Sequence, residues 1–501
     1  MTPPRTIPLS ELTDVIGPER VIGIPVGEVR GLAYDSRHVQ PGTMFFAVPG
    51  VHVDGHEFVP QAMERGALAA VVERELAGVT IPQLVVERSR DALADAADAW
   101  FSQPSRSLHV VGVTGTDGKT TTCFLAEAVL RAAGRRPGLI GTVELGIGDR
   151  RMPNENRNTT PEALELQGLL AEMVAAGNDS VVMEATSHGL AQARTRNVDF
   201  DIGILTNLTS EHLEFHGTLE NYRAAKAMLF EQAPRSILNA DDASFGFFRD
   251  RAAGQVTTYG LEADAEVRAS AIDASATGTA FDVTAGDWSG RVALRLPGSF
   301  NVHNALAAMA LAAVEGIDLD LAAQALVDVA AVPGRMETVD LGQPFGVVVD
   351  YAHTADSLGK VLRILRPLTR GRLIAVFGSA GERDPTKRPA MGRVAAELAD
   401  VVVVTDEDPR LEDAGAINEA IAGGARSAGA REGETLFVID DRPSAIGHAI
   451  GLARDGDVIL LAGKGHEKTI IYGTQGRWWD EKEVARHGLR ERGFGKAPVG
   501  G

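Results

Sequence analysis

Residues 110–122 read Val-Val-Gly-Val-Thr-Gly-Thr-Asp-Gly-Lys-Thr-Thr-Thr. An apolar run, a glycine loop and Gly118-Lys119-Thr120 at the start of a helix make a cradle for a triphosphate. Backbone N–H groups in such a loop point at phosphate oxygens, and the helix N-terminus adds partial positive charge. Lys119 would reach the β- and γ-phosphates, and the Thr120 hydroxyl would ligate Mg²⁺. The common form of this loop carries a glycine five residues before Gly118, where this chain has Val113. What stands here is a compressed form, Gly115-x-x-Gly118-Lys119-Thr120. The plain alternative is a glycine turn before an amphipathic helix.

Other residues could complete such a site. Glu184 follows the apolar run Val181-Val182-Met183. It fits the Mg²⁺ carboxylate that phosphate-loop enzymes supply from a neighbouring strand, and it fits equally a helix cap or a salt bridge. The segment 205–216 holds His212, His216, Glu211 and Glu214. With no HExxH pattern and no nearby cysteine, one histidine ligating Mg²⁺ or Mn²⁺ beside carboxylates suits it better than zinc. Lys226, on a helix running from Asn221 to Phe230, is on composition alone an ordinary solvated lysine.

These residues must be held by something, and the pattern says what. The length of 501 residues suggests about three domains. Apolar content of 44% with 23% charged residues is that of a soluble globular chain. A net charge of −19 argues against broad nucleic-acid or anionic-membrane binding. The one cysteine, Cys123, excludes an internal disulfide and suits a reducing cytoplasm; it reads as a buried structural thiol. The first ten residues do not form a signal peptide. No apolar run approaches the ~20 residues of a membrane span, and Ala305 to Val314 reads as a buried helix.

Apolar runs alternate with amphipathic stretches, which implies mostly parallel sheets with helical crossovers. Six runs end in dense polar clusters, where open parallel sheets bind ligands. They end at Glu184, Thr206-Asn207, Asp350 to His353, Gly378 to Asp384, Thr405 to Arg410, and Ala462 to Glu467. Pro104-Ser105 and Val332-Pro333-Gly334 read as linkers. The expected architecture is α/β in three domains. Residues 1–103 form a small N-terminal α/β domain, 104–334 a central phosphate-loop ATPase domain with a mostly parallel sheet, and 335–501 a C-terminal Rossmann-like domain.

Taken together, Thr114 to Thr121, Glu184 to Gly189, Asn207 to His216, Lys226 to Phe230, Asn301 to Ala305, Pro333-Gly334-Arg335, Asp350 to Thr354 and Gly463 to Glu467 resemble the Mur ligases in order and spacing. Those are ATP-dependent amide-forming enzymes of peptidoglycan precursor synthesis. Asp35-Ser36-Arg37, Asn158 to Pro161, Ser187 to Leu190 and Val349 to Thr354 resemble the branch that forms the UDP-muramoyl tripeptide. The resemblance implies a cytoplasmic, monomeric ligase that joins a diamino acid to UDP-N-acetylmuramoyl-L-alanyl-D-glutamate through an acyl phosphate, using ATP and Mg²⁺. It implies ATP contacts from Gly115, Thr116, Asp117, Gly118, Lys119, Thr120 and Thr121, with Asn301 at the adenine, Asp350 at the ribose and Arg335 near the γ-phosphate. Thr120 and Glu184 would serve one Mg²⁺; Glu184, His212 and a carbamate on Lys226 would serve a second. Ser36, Asn158, Thr159, Thr160, Thr186, Gln192 and Arg194 would hold the UDP-muramoyl dipeptide. Arg383, Asp408, Arg410, Gly463 and Glu467 would hold the amino acid, and His353 would lie near the reacting groups.

The departures are informative. Asp117 replaces a usual Asn, and Thr186 a usual Ser. Residues 407–410 read Glu-Asp-Pro-Arg, where diaminopimelate-adding enzymes read Asp-Asn-Pro-Arg. The extra carboxylate of Asp408 favours a cationic side chain, L-ornithine or L-lysine, over meso-diaminopimelate; Arg410 pulls the other way if it reads the side-chain end. Other ligases of the fold, such as folylpolyglutamate synthase or the D-Ala-D-Ala-adding enzyme, are the near alternatives. A non-catalytic nucleotide switch and a histidine-based metal hydrolase are the distant ones.

Overall fold

The computed structural model describes residues 6–50, 53–154, 158–209, 213–262, 264–275 and 278–495. Its contacts group into two compact units, residues 1–268 with 306–322, and residues 269–305 with 323–501.

In the first unit, a five-stranded sheet runs in the order Arg20–Ile22, Gln83–Val85, Ala69–Val72, Thr43–Phe46, Gly31–Ala33. All neighbours are parallel except the first pair. Thr43–Phe46 is buried along its whole length because both sheet faces are covered. Met44 and Phe46 pack with Ala92, Leu93 and Ala96 of helix Ser89–Trp100. Phe45 points the other way, onto Val59 and Ala62.

The central sheet of the same unit places the phosphate loop. The strand His109–Thr114 lies between Ser180–Glu184 and Ile202–Leu205, parallel to both. Pro137–Ile140 continues the sheet on one side, and Arg235–Asn239 and Gln255–Gly260 on the other. In this register Glu184 pairs with Val113 and Leu205 with Thr114. The loop after Thr114, the carboxylate of Glu184 and the turn at Thr206-Asn207 therefore emerge side by side at the carboxyl edge.

In the second unit, a six-stranded sheet runs in the order Glu337–Thr338, Gly346–Asp350, Val458–Ala462, Leu373–Phe377, Val401–Val404, Leu436–Val438. Only its first strand is antiparallel. Alternate residues face opposite cores. Val347, Val349, Ile374, Val376, Ile459 and Leu461 meet Ile446, Ile450 and Leu489. Val348, Ala375, Phe377, Val402 and Leu460 meet Leu358, Leu362, Met391 and Ile421.

All six apolar runs singled out in the sequence are strands. The run Ala305 to Val314 lies within helix Phe300–Glu315, and Ala305 to Ala312 are inaccessible to solvent. The two segments read as linkers are packed turns. Pro104–Ser107 is a 3₁₀ turn with Pro104 and Ser105 buried, and Val332 is buried and bridges to Arg335. Proline sets φ in both places, which fixes a turn as readily as it marks a flexible joint. Among the described residues no helix is long and apolar enough to cross a membrane.

At the amino edge of the central sheet, His109 lies 3.3 Å from both Asp201 and Glu315, and Arg135 and Arg235 also reach Glu315. Burial opposes the imidazolium, but the two carboxylates outweigh it and raise the His109 pKa to about 9. A raised folded-state pKa stabilises fully below the unfolded value of about 6.5 and is lost as pH climbs through the folded value. His109→Gln is therefore expected to cost about 2 kcal/mol at pH 6, a penalty that shrinks toward pH 10, in urea denaturation of both forms. A pH-independent difference would disprove the ionic role.

Candidate active site

The phosphate loop is shaped by what its first glycine lacks. Gly115 has φ +146°, and a β-carbon there would stand 1.8 Å from Thr206 Oγ1. Without one, the loop nests against the neighbouring turn. Thr116 N–H donates to Asn207 O, Asp117 N–H donates to Asn207 Oδ1, and the Thr206 hydroxyl and the Asn207 amide donate to Asp117 O. The compressed spacing is thus a loop anchored by its backbone to the next strand. The exposed Asp117 joins this anchor through its main chain.

Helix Lys119–Ala132 starts after Gly118, with no side-chain cap and no acidic residue in its first turn. Its first N–H groups and positive dipole end are left for an anion. Lys119 Nζ donates to Gly115 O at 3.0 Å and Thr116 O at 2.7 Å. Lys226, which composition reads as solvated, is 1% exposed, and its Nζ donates to the same Gly115 O at 2.6 Å. It lies 4.5 Å from the Tyr222 ring, and the Tyr222 hydroxyl meets Thr116 Oγ1 at 3.1 Å. Two lysines thus converge on one loop carbonyl.

Glu184 is 1% exposed. Its Oε1 accepts from Thr120 Oγ1 at 3.0 Å and from Thr142 N–H at 2.7 Å, and its Oε2 accepts from Thr142 Oγ1 at 3.1 Å. The hydroxyl and carboxylate assigned to Mg²⁺ from the sequence are therefore adjacent. This oxygen pair suits Mg²⁺, which takes few protein ligands and keeps waters and phosphate oxygens. His212 lies outside the described residues. His216 is turned to Ser187 Oγ at 3.0 Å within a ring cluster of His188, Phe215 and Tyr222. Among the described residues no group of three His, Cys, Asp or Glu side chains could hold a metal. Cys123 is fully buried, and burial pushes its thiol pKa well up.

A second network continues from Glu184. Thr160 Oγ1 donates to Glu184 O at 2.8 Å and meets Thr186 Oγ1 at 3.0 Å, and Thr159 Oγ1 meets Thr142 Oγ1 at 3.0 Å. Arg194, 8% exposed, donates to Thr160 O and Gln192 Oε1 and pairs with Glu162 at 3.1 Å. Its buried Nε has no hydrogen-bond partner. Asn158 precedes this network at a half-buried position. Ser36 is held elsewhere, donating to Gln61 Oε1 at 2.6 Å.

The second unit carries the remaining candidates. Asp350 is buried and accepts from the N–H groups of Met336 and Ala352, and burial raises its pKa. Asn301 is buried, donating to Pro297 O and accepting from Asn304. The Arg335 guanidinium lies 5.8 Å from the Tyr351 ring. His353 Nδ1 is 2.9 Å from Tyr351 O, and burial lowers its pKa.

Around residues 405–410 and 463–467 the charge is dense. Asp408 is 7% exposed, and its Oδ1 accepts from Lys464 Nζ at 3.0 Å and Ile471 N–H at 2.9 Å. Lys464 is fully buried and also pairs with Glu467. The sequence presents Asp408 as an uncompensated carboxylate; the fold gives it half of one ammonium. Gly463, at φ +102°, leaves room for Glu407, whose Oε2 would be 2.6 Å from a β-carbon there. Burial pushes the Glu407 carboxyl up to about 7. Arg410 has φ +56° and a buried Nε with no hydrogen-bond partner, and Arg383 is exposed. A non-glycine residue held at positive φ marks stored strain of the kind found at ligand sites.

Sequence reasoning passed over Thr142, Tyr222, Lys464 and Glu407 as site residues. Lys464 and Glu407 sit inside motifs it had quoted. Thr142 and Tyr222 carry no local signal, because only strand order brings them to Glu184 and to the loop.

Comparison with known proteins gives one picture. Residues 28–101 match the model described as Mur ligase family, catalytic domain, residues 113–312 the Mur ligase middle domain, and residues 334–465 the Mur ligase, glutamate ligase domain. A UDP-N-acetylmuramyl-tripeptide synthetase of Roseiflexus sp. (strain RS-1) is 49% identical, over 93% of this chain and 96% of its own. A UDP-N-acetylmuramoyl-L-alanyl-D-glutamate–2,6-diaminopimelate ligase of Geobacillus thermodenitrificans (strain NG80-2) is 45% identical over the same shares. The solved structure of another ligase so named matches with a TM-score of 0.69 and 31% identity, covering 97% of this chain and 99% of that one. A MurF ligase from Thermotoga maritima in complex with ADP shares the fold at a TM-score of 0.60 and 22% identity.

Gly115→Ala is expected to weaken nucleoside triphosphate binding at least about tenfold in calorimetric titration, because the loop must leave Thr206 to admit the methyl group. An unchanged Kd would rule this loop out as the phosphate cradle.

Proposed function

The chain belongs to the Mur ligase family of ATP-dependent ligases, and we propose that it is a MurE-type enzyme that adds a diamino acid to UDP-N-acetylmuramoyl-L-alanyl-D-glutamate. The observation that carries this reading is the convergence of Lys119 and Lys226 on Gly115 O, beside the Thr120–Glu184–Thr142 cluster. The work would be divided among residues 1–103 for the UDP-sugar, 104–334 for ATP and 335–501 for the amino acid.

A carboxylate is a poor acyl donor because its leaving group would be oxide. Transfer of the γ-phosphoryl group of ATP to the D-glutamyl carboxylate gives an acyl phosphate and ADP. The neutral amine then attacks the carbonyl carbon, and the tetrahedral intermediate loses one nitrogen proton and expels phosphate, which can carry that proton away, to leave the amide. Phosphoryl transfer asks a protein mainly for positioning and charge neutralisation. Lys119 can swing from the loop carbonyls onto the phosphates, and the first turn of its helix receives them. Thr120 and Glu184 would hold Mg²⁺, which when bound neutralises the phosphate and carboxylate oxygens that must meet. Lys226, as a carbamate, would offer anionic oxygens to a second ion with Glu184 and His212. The network from Thr159 to Arg194 would orient the muramoyl dipeptide, with Ser36 and Asn158 at its periphery. In the second unit Asn301, Asp350 and Arg335 would meet adenine, ribose and γ-phosphate, and His353, kept neutral by burial, would stand near the reacting groups.

For the amino acid we favour L-ornithine or L-lysine. Asp408 and Glu467 share the single ammonium of Lys464, so these three side chains carry one net negative charge, with Arg410 as the cation that opposes it. An asparagine at 408 would leave Lys464 matched by Glu467 alone. A distal ammonium is favoured by that surplus, and a distal carboxylate is opposed by it. Relatives named for 2,6-diaminopimelate make that amino acid the second reading.

Phosphate release with ATP and the UDP-muramoyl dipeptide is expected to depend on an added diamino acid, with kcat/KM higher for ornithine or lysine than for meso-diaminopimelate. Asp408→Asn should move the ratio toward diaminopimelate by about tenfold; unchanged ratios would refute the charge argument. Lys226→Ala should lower kcat at least about 10²-fold, with no recovery in bicarbonate. Wild-type turnover in that variant would exclude the carbamate.

A further inference from the structure

We infer that Arg442 and Glu481 are positioning residues for the amino-acid half of the reaction, an inference that rests on the reading of residues 405–410 and 463–467 given above. Arg442 is 0% exposed and Glu481 is 1% exposed. Arg442 Nη2 donates to Glu481 Oε1 at 2.6 Å and Nε to Oε2 at 3.0 Å. Trp479 Nε1 donates to the same Oε2 at 2.7 Å. The guanidinium also reaches two main-chain carbonyls, with Nη1 donating to Asp406 O at 3.1 Å and Nη2 to Ala462 O at 2.8 Å.

Those carbonyls mark the ends of two strands that do not touch. Ala462 closes Val458–Ala462, Asp406 follows Val401–Val404, and Leu373–Phe377 lies between them in the sheet. Sheet hydrogen bonds relate these two ends only through the strand between them; the Arg442 fork joins them directly. Immediately beyond the clamp the two loops pack face to face. Glu407 fills the space left by Gly463, and Lys464 pairs with Asp408. A shift of a few tenths of an ångström between the strand ends would disturb both contacts and the amino-acid subsite they frame.

Stability does not account for this arrangement. Arg442 is the first residue of helix Arg442–Leu452, where the dipole opposes a cation. A fully buried ion pair is in general no more stabilising than a packed apolar pair of similar volume. What only arginine supplies is a rigid planar fork that binds a carboxylate and two carbonyls at once; lysine offers a point charge.

The test uses the full-length enzyme and three variants, Arg442→Lys, Arg442→Met and the double variant Arg442→Met/Glu481→Leu. The double variant removes both charges, so its Tm should return close to wild type even if Arg442→Met alone is unstable. All three are expected to raise KM for the diamino acid, about 10- to 100-fold in the methionine variants, while KM for ATP and for the UDP-muramoyl dipeptide stays within about twofold. A double variant with wild-type amino-acid KM, or with all three KM values raised in proportion, would overturn the inference. If wild-type phosphate release ignores the amino acid, the reading beneath it fails instead; that result is seen before any variant is made.

Discussion

The glycine loop of the first unit depends on a missing side chain. Gly115 lets the loop backbone settle against Thr206 and Asn207, where any β-carbon would overlap the Thr206 hydroxyl. Once the loop is there, its carbonyls turn toward Lys119 and Lys226, and the N-terminus of helix Lys119–Ala132 is left open. Strand order supplies the rest. Because His109–Thr114 is flanked by Ser180–Glu184 and Ile202–Leu205, the carboxylate and the anchoring turn need no long connection to reach the loop.

The second unit solves a different problem with the same sheet logic. Its loops carry more carboxylates than the site can hold charged, and each is managed separately. Burial pushes the Glu407 carboxyl up to about 7, Asp408 and Glu467 share Lys464, and Glu481 is matched by Arg442. Lys464, Asp408 and Glu467 together carry one net negative charge, local to these loops, within a chain whose net charge is −19. At the amino edge of the central sheet, His109 and Glu315 belong to a separate charged cluster.

Much was legible beforehand. Six strands were marked by a short apolar run with a polar cluster after it, since a strand buried on both faces favours such a run. The glycine loop was legible because its residue types and their order make a tight turn into a helix N-terminus. Lys226 shows the limit of local reading. Its helix is polar enough to look solvated, and only the packing of that helix against the loop buries the ammonium. Asp408 shows another limit, since a formal charge counted in the chain says nothing of the partner that neutralises it.

The sequence by itself determined six of the sheet strands, the glycine loop that opens a helix and the family, because these follow from residue type and near-neighbour spacing. The tertiary structure alone decided which distant groups share a charge or a carbonyl. Thr142 on Glu184, Tyr222 on Thr116, Lys464 on Asp408, and Arg442 across two strand ends are pairs separated along the chain by 20 to 106 residues. Their meeting depends on sheet order and on the need of every buried polar group for a partner. No spacing in the chain encodes either.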